Sequence, residues 1–336
     1  YMLCPRDMQM NGQNILPMRV LAEALAKAPA RRVVLVLEAM NAAAAGLFLT
    51  PLADAGKEYV LLAACGADQF SFEMDFPLPD GTTVRQSAFT HYLVQGLYGL
   101  ADLSRDNRIT AAEAVEYARM EMDRKGHSQH PELIGPAGNI VLATAATEEG
   151  ALTAAAAAAQ ALASAAEAAA AARTPATPPP QKPPAPPKET PPPAPASPAK
   201  DEPKTEPAPE VKEAPKTPPK EEVKEEAPEK PKVPAGPPKK WAVIVGINRY
   251  ASPSLPELPG AVNDSKEMRA LLVDAMGFKS AEVTVLTDAK ATRDAILGAI
   301  RAVGEKAGPN DLVLFYFSGH SAMFAVSGAH GEELVL

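Results

Sequence analysis

Three clusters of reactive or ionisable side chains in this sequence follow directly on apolar runs, and a fourth comes after the loop that follows such a run. The run Leu312 to Phe317 ends in Ser318-Gly319-His320-Ser321, and Val33 to Leu37 ends in Glu38-Ala39-Met40-Asn41. Tyr59 to Ala64 ends in Cys65-Gly66-Ala67-Asp68-Gln69, and Asn263-Asp264 follows the loop after Trp241 to Ile247. A histidine can move protons near neutral pH. A thiol is a nucleophile once ionised. The carboxylates Glu38, Asp68 and Asp264 could together receive a cationic group. Met40 offers none of this, because a thioether has no proton to lose and forms no acyl intermediate. Each residue also has a structural alternative: a hydrogen-bonded histidine, a buried inert thiol at Cys65, a space-filling methionine, acids that cap helices.

A fifth constellation lies between two helical patterns. Asp102, Ser104, Asp106, Arg108, Thr110 and Glu113 stand at positions one, three, five, seven, nine and twelve of a loop with apolar Ile109 at eight. That spacing follows the calcium loop of an EF-hand. Asn107 stands where glycine is expected, which asparagine tolerates through the left-handed region. Arg105 and Arg108 add positive charge that weakens cation binding. The alternative is a plain helix connection.

The elements that must position these groups read as alternating strands and helices. After Lys240 the pattern is strand (Trp241 to Ile247), helix (Asn263 to Met276), strand (Val283 to Leu286), helix (Thr292 to Lys306) and strand (Asp311 to Phe317). Residues 1–147 continue with a helix from Met18 to Ala28, strands at Arg32 to Leu37 and Tyr59 to Ala64, helices at Ser87 to Tyr98 and Ala111 to Lys125, and a last strand at Asn139 to Ala143. Such alternation gives a parallel sheet wrapped by helices. Functional groups of open parallel sheets gather at the strands' carboxyl ends. Neither segment alone makes a complete sheet; three strands from each give a six-stranded layer.

Between the segments, residues 148–172 are mostly alanine and predict an exposed helix. From Thr174 to Pro238 lie 24 of the 36 prolines, interleaved with Lys and Glu. That composition predicts an extended, disordered linker able to recruit protein partners. The net charge is −8, yet residues 173–240 carry 13 Lys and Arg against 11 Asp and Glu, so the remainder stands at −10. An acidic remainder argues against nucleic acid and suits cationic peptides. Two cysteines, Cys4 and Cys65, have no metal-ligand spacing and do not fix the redox compartment. No run has the roughly 18 apolar residues of a membrane helix, so a soluble chain is expected, its compartment unassigned. A sequence opening at Tyr1 and stopping in mid-pattern at Leu336 reads as a fragment or a processed form.

Trp241-Ala-Val-Ile-Val-Gly-Ile-Asn248, Leu258-Pro-Gly-Ala-Val-Asn-Asp264 and Leu314-Phe-Tyr-Phe-Ser-Gly-His320 resemble the large-subunit half of metacaspases and bacterial caspase-like peptidases. Val34-Leu-Val-Leu-Glu-Ala-Met40 resembles the family's strand ending in Leu-Asp-Ala-Cys. Ala64 to Glu73, Phe89-Thr-His-Tyr-Leu93 and Gln129-His-Pro-Glu-Leu133 resemble its small-subunit half. The resemblance implies an α/β fold, a caspase-like three-layer sandwich with a mostly parallel six-stranded sheet. It also implies three regions: 1–147 as the nucleophile-side half, 148–238 as helix and linker, and 239–336 as the histidine-side half. In the family the histidine half comes first. Here Leu334-Val-Leu336 would run on into Tyr1-Met-Leu as one strand, as a circular permutant or a window cut from adjacent domains would give.

By resemblance His320 is the catalytic histidine and Met40 occupies the nucleophile's position. The family attacks a peptide carbonyl with a thiolate while the histidine handles the proton. Glu38 stands for aspartate, and Ser321 for the glycine whose N–H helps form the oxyanion hole. Glu38, Asp68 and Asp264 would line a pocket for Arg or Lys. No cofactor is required; calcium is a candidate. Three readings follow: a homologue impaired by Met40, an active endopeptidase whose cysteine lies outside this sequence, or a non-enzymatic scaffold.

Overall fold

The computed structural model describes residues 1–78, 80–147, 149–150, scattered positions between 152 and 160, 237–326 and 332–335. The described residues belong to one compact unit formed from both ends of the chain. The proline-rich linker expected at 174–238 lies almost wholly outside them, while the described positions from 149 to 160 are helical.

Along the chain run β1 (Met2–Leu3), β2 (Leu16–Pro17), α1 (Met18–Ala26), β3 (Arg32–Glu38), α2 (Thr50–Asp54) and β4 (Glu58–Ala63). There follow β5 (Glu73–Pro77), β6 (Thr83–Ser87), α3 (Ala88–Gln95), β7 (Arg108–Thr110), α4 (Ala111–Arg124), β8 (Glu132–Ile134) and β9 (Val141–Thr144). The second segment supplies β10 (Lys240–Gly246), α5 (Ala261–Asp274), β11 (Val283–Thr287), α6 (Arg293–Lys306), β12 (Leu312–Ser318), β13 (Ser321–Val326) and β14 (Glu332–Val335).

The central sheet has the order β11-β10-β12-β3-β4-β8, parallel except for β8. Its middle is the seam between the two segments, where β12 pairs with β3 from Leu312 opposite Arg32 to Ser318 opposite Glu38. Val33 to Leu37 and Leu312 to Phe317 are apolar because both faces are covered. On one face Val34, Val36, Ile244 and Tyr316 meet Phe89, Val115 and Leu271 from α3, α4 and α5. On the other, Leu35, Leu37, Val245 and Phe317 meet Leu21 and Ile296 from α1 and α6. The result is the expected three-layer sandwich, each fully buried large apolar side chain contributing roughly 1.5 to 3 kcal/mol.

The sixth strand differs from expectation. Asn139 to Ala143 does not join the central sheet; Val141–Thr144 pairs with Arg108–Thr110 instead. Glu132–Ile134 takes the edge place, antiparallel to β4. Between β4 and α3 the chain forms a β-hairpin of β5 and β6. At the chain's two ends, Val335 pairs with Met323 and Met2 with Ala322, so β14 and β1 address consecutive positions of β13. Among the described residues, no helix is long and apolar enough to cross a membrane.

Candidate active site

The β3–β12 register decides what meets at the carboxyl edge. The last pair, Ser318 opposite Glu38, is followed by a hydrogen bond from Gly319 N–H to Glu38 O at 3.1 Å. Two residues beyond that pair on each strand stand His320 and Met40. Both line one small cavity of about 60 Å³, together with Glu38, Ser71, Glu73 and Ser87.

His320 is buried. Its backbone N–H donates to Tyr250 Oη at 2.7 Å, and its ring stands 5.0 Å from the Tyr250 ring between centroids. Nε2 lies 2.9 Å from Pro256 O. A carbonyl only accepts, so Nε2 carries the hydrogen and Nδ1 keeps a lone pair. Burial lowers the imidazole's pKa, against the opposing hydrogen bond to Pro256. A neutral ring with a bare nitrogen is what proton abstraction needs. Gly319 is required beside it, since a Cβ there would lie 2.6 Å from Tyr250 Oη.

Met40 is half-buried. Its carbonyl accepts from Ser321 Oγ at 2.7 Å and from Tyr1 Oη at 3.0 Å. The serine that follows the histidine thus fastens the backbone of Met40 across the site.

Beneath the cavity the acids form a buried network. Glu38 accepts from Ser71 Oγ and from Thr90 N–H and Oγ1 at 3.2 and 3.3 Å. Asp264 accepts from Ser87 N–H at 2.9 Å, Ser87 Oγ at 2.5 Å and Ser318 Oγ at 2.8 Å. Both carboxyls titrate well above the usual range; burial is the chief cause, and the charge of Asp264 adds to it at Glu38. Glu267, which accepts from Gln86 Nε2, is pushed up to about 8 by burial and then by Asp264. Glu73 accepts from Gly260 N–H at 2.9 Å and has Arg85 Nε at 3.8 Å. Carboxyls held in low dielectric with so little cationic compensation favour an incoming positive charge.

Asp68 does not join this group; it is exposed, on the turn after β4. Cys65 is buried, its thiol donating to Gln69 O at 3.2 Å and Ala39 O at 3.4 Å, and burial pushes it up to about 12. A thiol so raised is not a nucleophile at neutral pH. Ser71, Ser87, Thr90, Tyr250 and Glu73 were not anticipated from the sequence. Glu73 and Ser87 reach the site through the β5–β6 hairpin, and Ser71 from the segment just before it, none of which carries a strong periodic signal.

In the Asp102 to Glu113 loop the carboxylates serve the loop's own amides. Asp102 accepts from Asp106 and Asn107 N–H, both at 3.1 Å, and Asp106 from Arg108 N–H at 2.9 Å. Glu113 accepts from Ser104 N–H at 3.0 Å and completes a capping box with Thr110 at the start of α4. Arg105 and Asn107 take left-handed backbone conformations. Among the described residues, no group of three His, Cys, Asp or Glu side chains is arranged to hold a metal ion.

A parallel sheet flanked by helices on both faces, with a histidine and its facing residue leaving adjacent central strands, defines a caspase-like α/β domain. Residues 239–333 match the caspase domain family. Over 101 residues the chain is 34% identical to metacaspase-1 of Scheffersomyces stipitis, covering 28% of this chain and 25% of that one. It is 35% identical over 100 residues to metacaspase-9 of Arabidopsis thaliana, covering 27% and 30%. The chain thus spans roughly a quarter of the length of the curated relatives it matches. No solved structure matches. Fold and matches together place the chain among the caspase-like cysteine peptidase homologues.

Proposed function

We propose that this chain is a caspase-like endopeptidase homologue that binds peptides carrying Arg or Lys and is impaired in cleaving them, because Met40 stands in the nucleophile's place. The observation that carries this reading is that Met40 and His320 line one cavity above Glu38 and Asp264. The histidine keeps the tautomer that accepts a proton, and among the described residues no cysteine lines the cavity. The raised carboxyls suit a guanidinium or ammonium, whose arrival would favour their ionised forms and release protons.

The test is fluorescence anisotropy of a labelled peptide containing arginine, beside the same peptide with citrulline. Arginine is expected to bind at least about tenfold more tightly, the value of one charge-assisted hydrogen bond, and Glu38→Gln should erase much of the difference. Equal binding of the two peptides would refute the basic-side-chain reading. If the cysteine of an active enzyme lies outside this sequence, supplying that segment would produce cleavage that this polypeptide alone lacks.

A further inference from the structure

At the opposite end of the sheet, where β3 and β4 begin, lies a cleft of about 430 Å³ that the peptidase framework does not use. Arg32 opens β3, Lys57 precedes β4 and Arg108 opens β7; all three line the cleft, with Asn139 and Ile140 from the turn before β9. Its one acid, Glu58, is taken by Arg31 at 2.9 Å. Among the described residues Arg32, Lys57 and Arg108 have no carboxylate within ion-pair distance.

Their existing contacts leave donors over. Arg32 Nη2 donates to Asn310 O at 2.7 Å. Lys57 Nζ donates to Ala28 O and, at 2.8 Å, to Ala30 O, which uses two of an ammonium's three hydrogens. Among the described residues the Arg108 guanidinium has no hydrogen-bond partner, while its backbone N–H donates to Asp106 Oδ1 at 2.9 Å. The lowered pKa of Lys57 is an effect of burial, and that of Lys240 is chiefly so, with the nearby charge of Arg32 adding to it.

We propose that this cleft binds a small organic polyanion, with its anionic oxygens on Arg32, Lys57 and Arg108 and its carbon body against Ile140. Planar guanidinium forks favour carboxylate or phosphate oxygens. An apolar wall beside them favours a ligand with a carbon frame, and the cleft's volume suits a small molecule.

The experiment is isothermal titration calorimetry of the 336-residue chain with citrate and, separately, with inorganic pyrophosphate at low ionic strength. Saturable binding of at least one is expected, weakened about tenfold by Arg108→Ala and by a smaller factor by Arg108→Lys, which keeps the charge but loses the fork. Arg19→Ala, on the exposed face of α1, should bind as the parent does. Arg108 is exposed, so its loss leaves the fold intact, whereas Arg32→Ala needs a matching unfolding curve. Binding of citrate alone assigns a carboxylate ligand, and of pyrophosphate alone a phosphate ligand. Saturation by neither anion, or undiminished affinity in both Arg108→Ala and Arg32→Ala, overturns the proposal.

Discussion

Ser321 Oγ donates a 2.7 Å hydrogen bond to the carbonyl of Met40, and Tyr1 Oη donates a second at 3.0 Å. Each protects the acceptor if the other is removed. Ser321→Ala and Tyr1→Phe should each cost about 1 kcal/mol. The double variant should lose more than the sum, because only then is the carbonyl orphaned. Urea unfolding measures all three, and strict additivity would show that the two hydroxyls do not share this acceptor.

Glu267 rises from 4.5 to about 8, so the folded chain holds a proton that the unfolded chain has released. Stability attributable to this group is present below about pH 4.5, falls as pH rises, and levels off near 8. Glu38 and Asp264 shift the same way, for the same chief reason. Urea midpoints are expected to be higher at pH 5 than at pH 8. Glu267→Gln should flatten that slope, and an unchanged slope would mean that Glu267 is ionised in the fold.

Gly319→Ala would drive a Cβ to 2.6 Å from Tyr250 Oη and 3.0 Å from the Phe317 ring. The buried Phe317 and half-buried Tyr250 have little room, so a cost of about 1 to 3 kcal/mol is expected. Tyr250→Phe removes the nearer clash and should recover part of it in the double variant. Thermal unfolding reads both; a Gly319→Ala midpoint equal to the parent's would show that the site is looser than its contacts imply.

Thr110→Ala removes the capping box of α4 and should cost about 1 kcal/mol. Calcium at the Asp102 to Glu113 loop would compete with amides that already hold Asp102, Asp106 and Glu113. Millimolar calcium is expected to leave the unfolding midpoint in place. A rise that Asp106→Asn abolishes would assign the ion to this loop.

The sandwich was legible in the sequence because a strand covered on both faces must be apolar throughout, as Val33 to Leu37 and Leu312 to Phe317 are. Glu132–Ile134 escaped notice because three residues on an edge, with Glu132 exposed, carry neither length nor alternation. His320, Met40, Glu38 and Asp264 could be named because they lie at or near the ends of readable elements, and the fold brings them together. Asp68 followed one too, yet the turn after β4 leaves it in solvent. Ser71 and Ser87 reach the buried acids through tertiary contacts alone, which no local pattern records.

On the proposed function, Met40 withholds the nucleophile from a site whose other groups the fold brings together. The most direct test is cleavage of a fluorogenic Arg or Lys peptide by the unmodified chain, by Met40→Cys, and by Met40→Cys combined with Ser321→Gly and Glu38→Asp. The account predicts no cleavage by the unmodified chain, and cleavage after basic residues, abolished by thiol alkylation, once Cys stands at position 40. Alkylation-sensitive cleavage by the unmodified chain would contradict it, as would failure of both substituted chains while they remain folded.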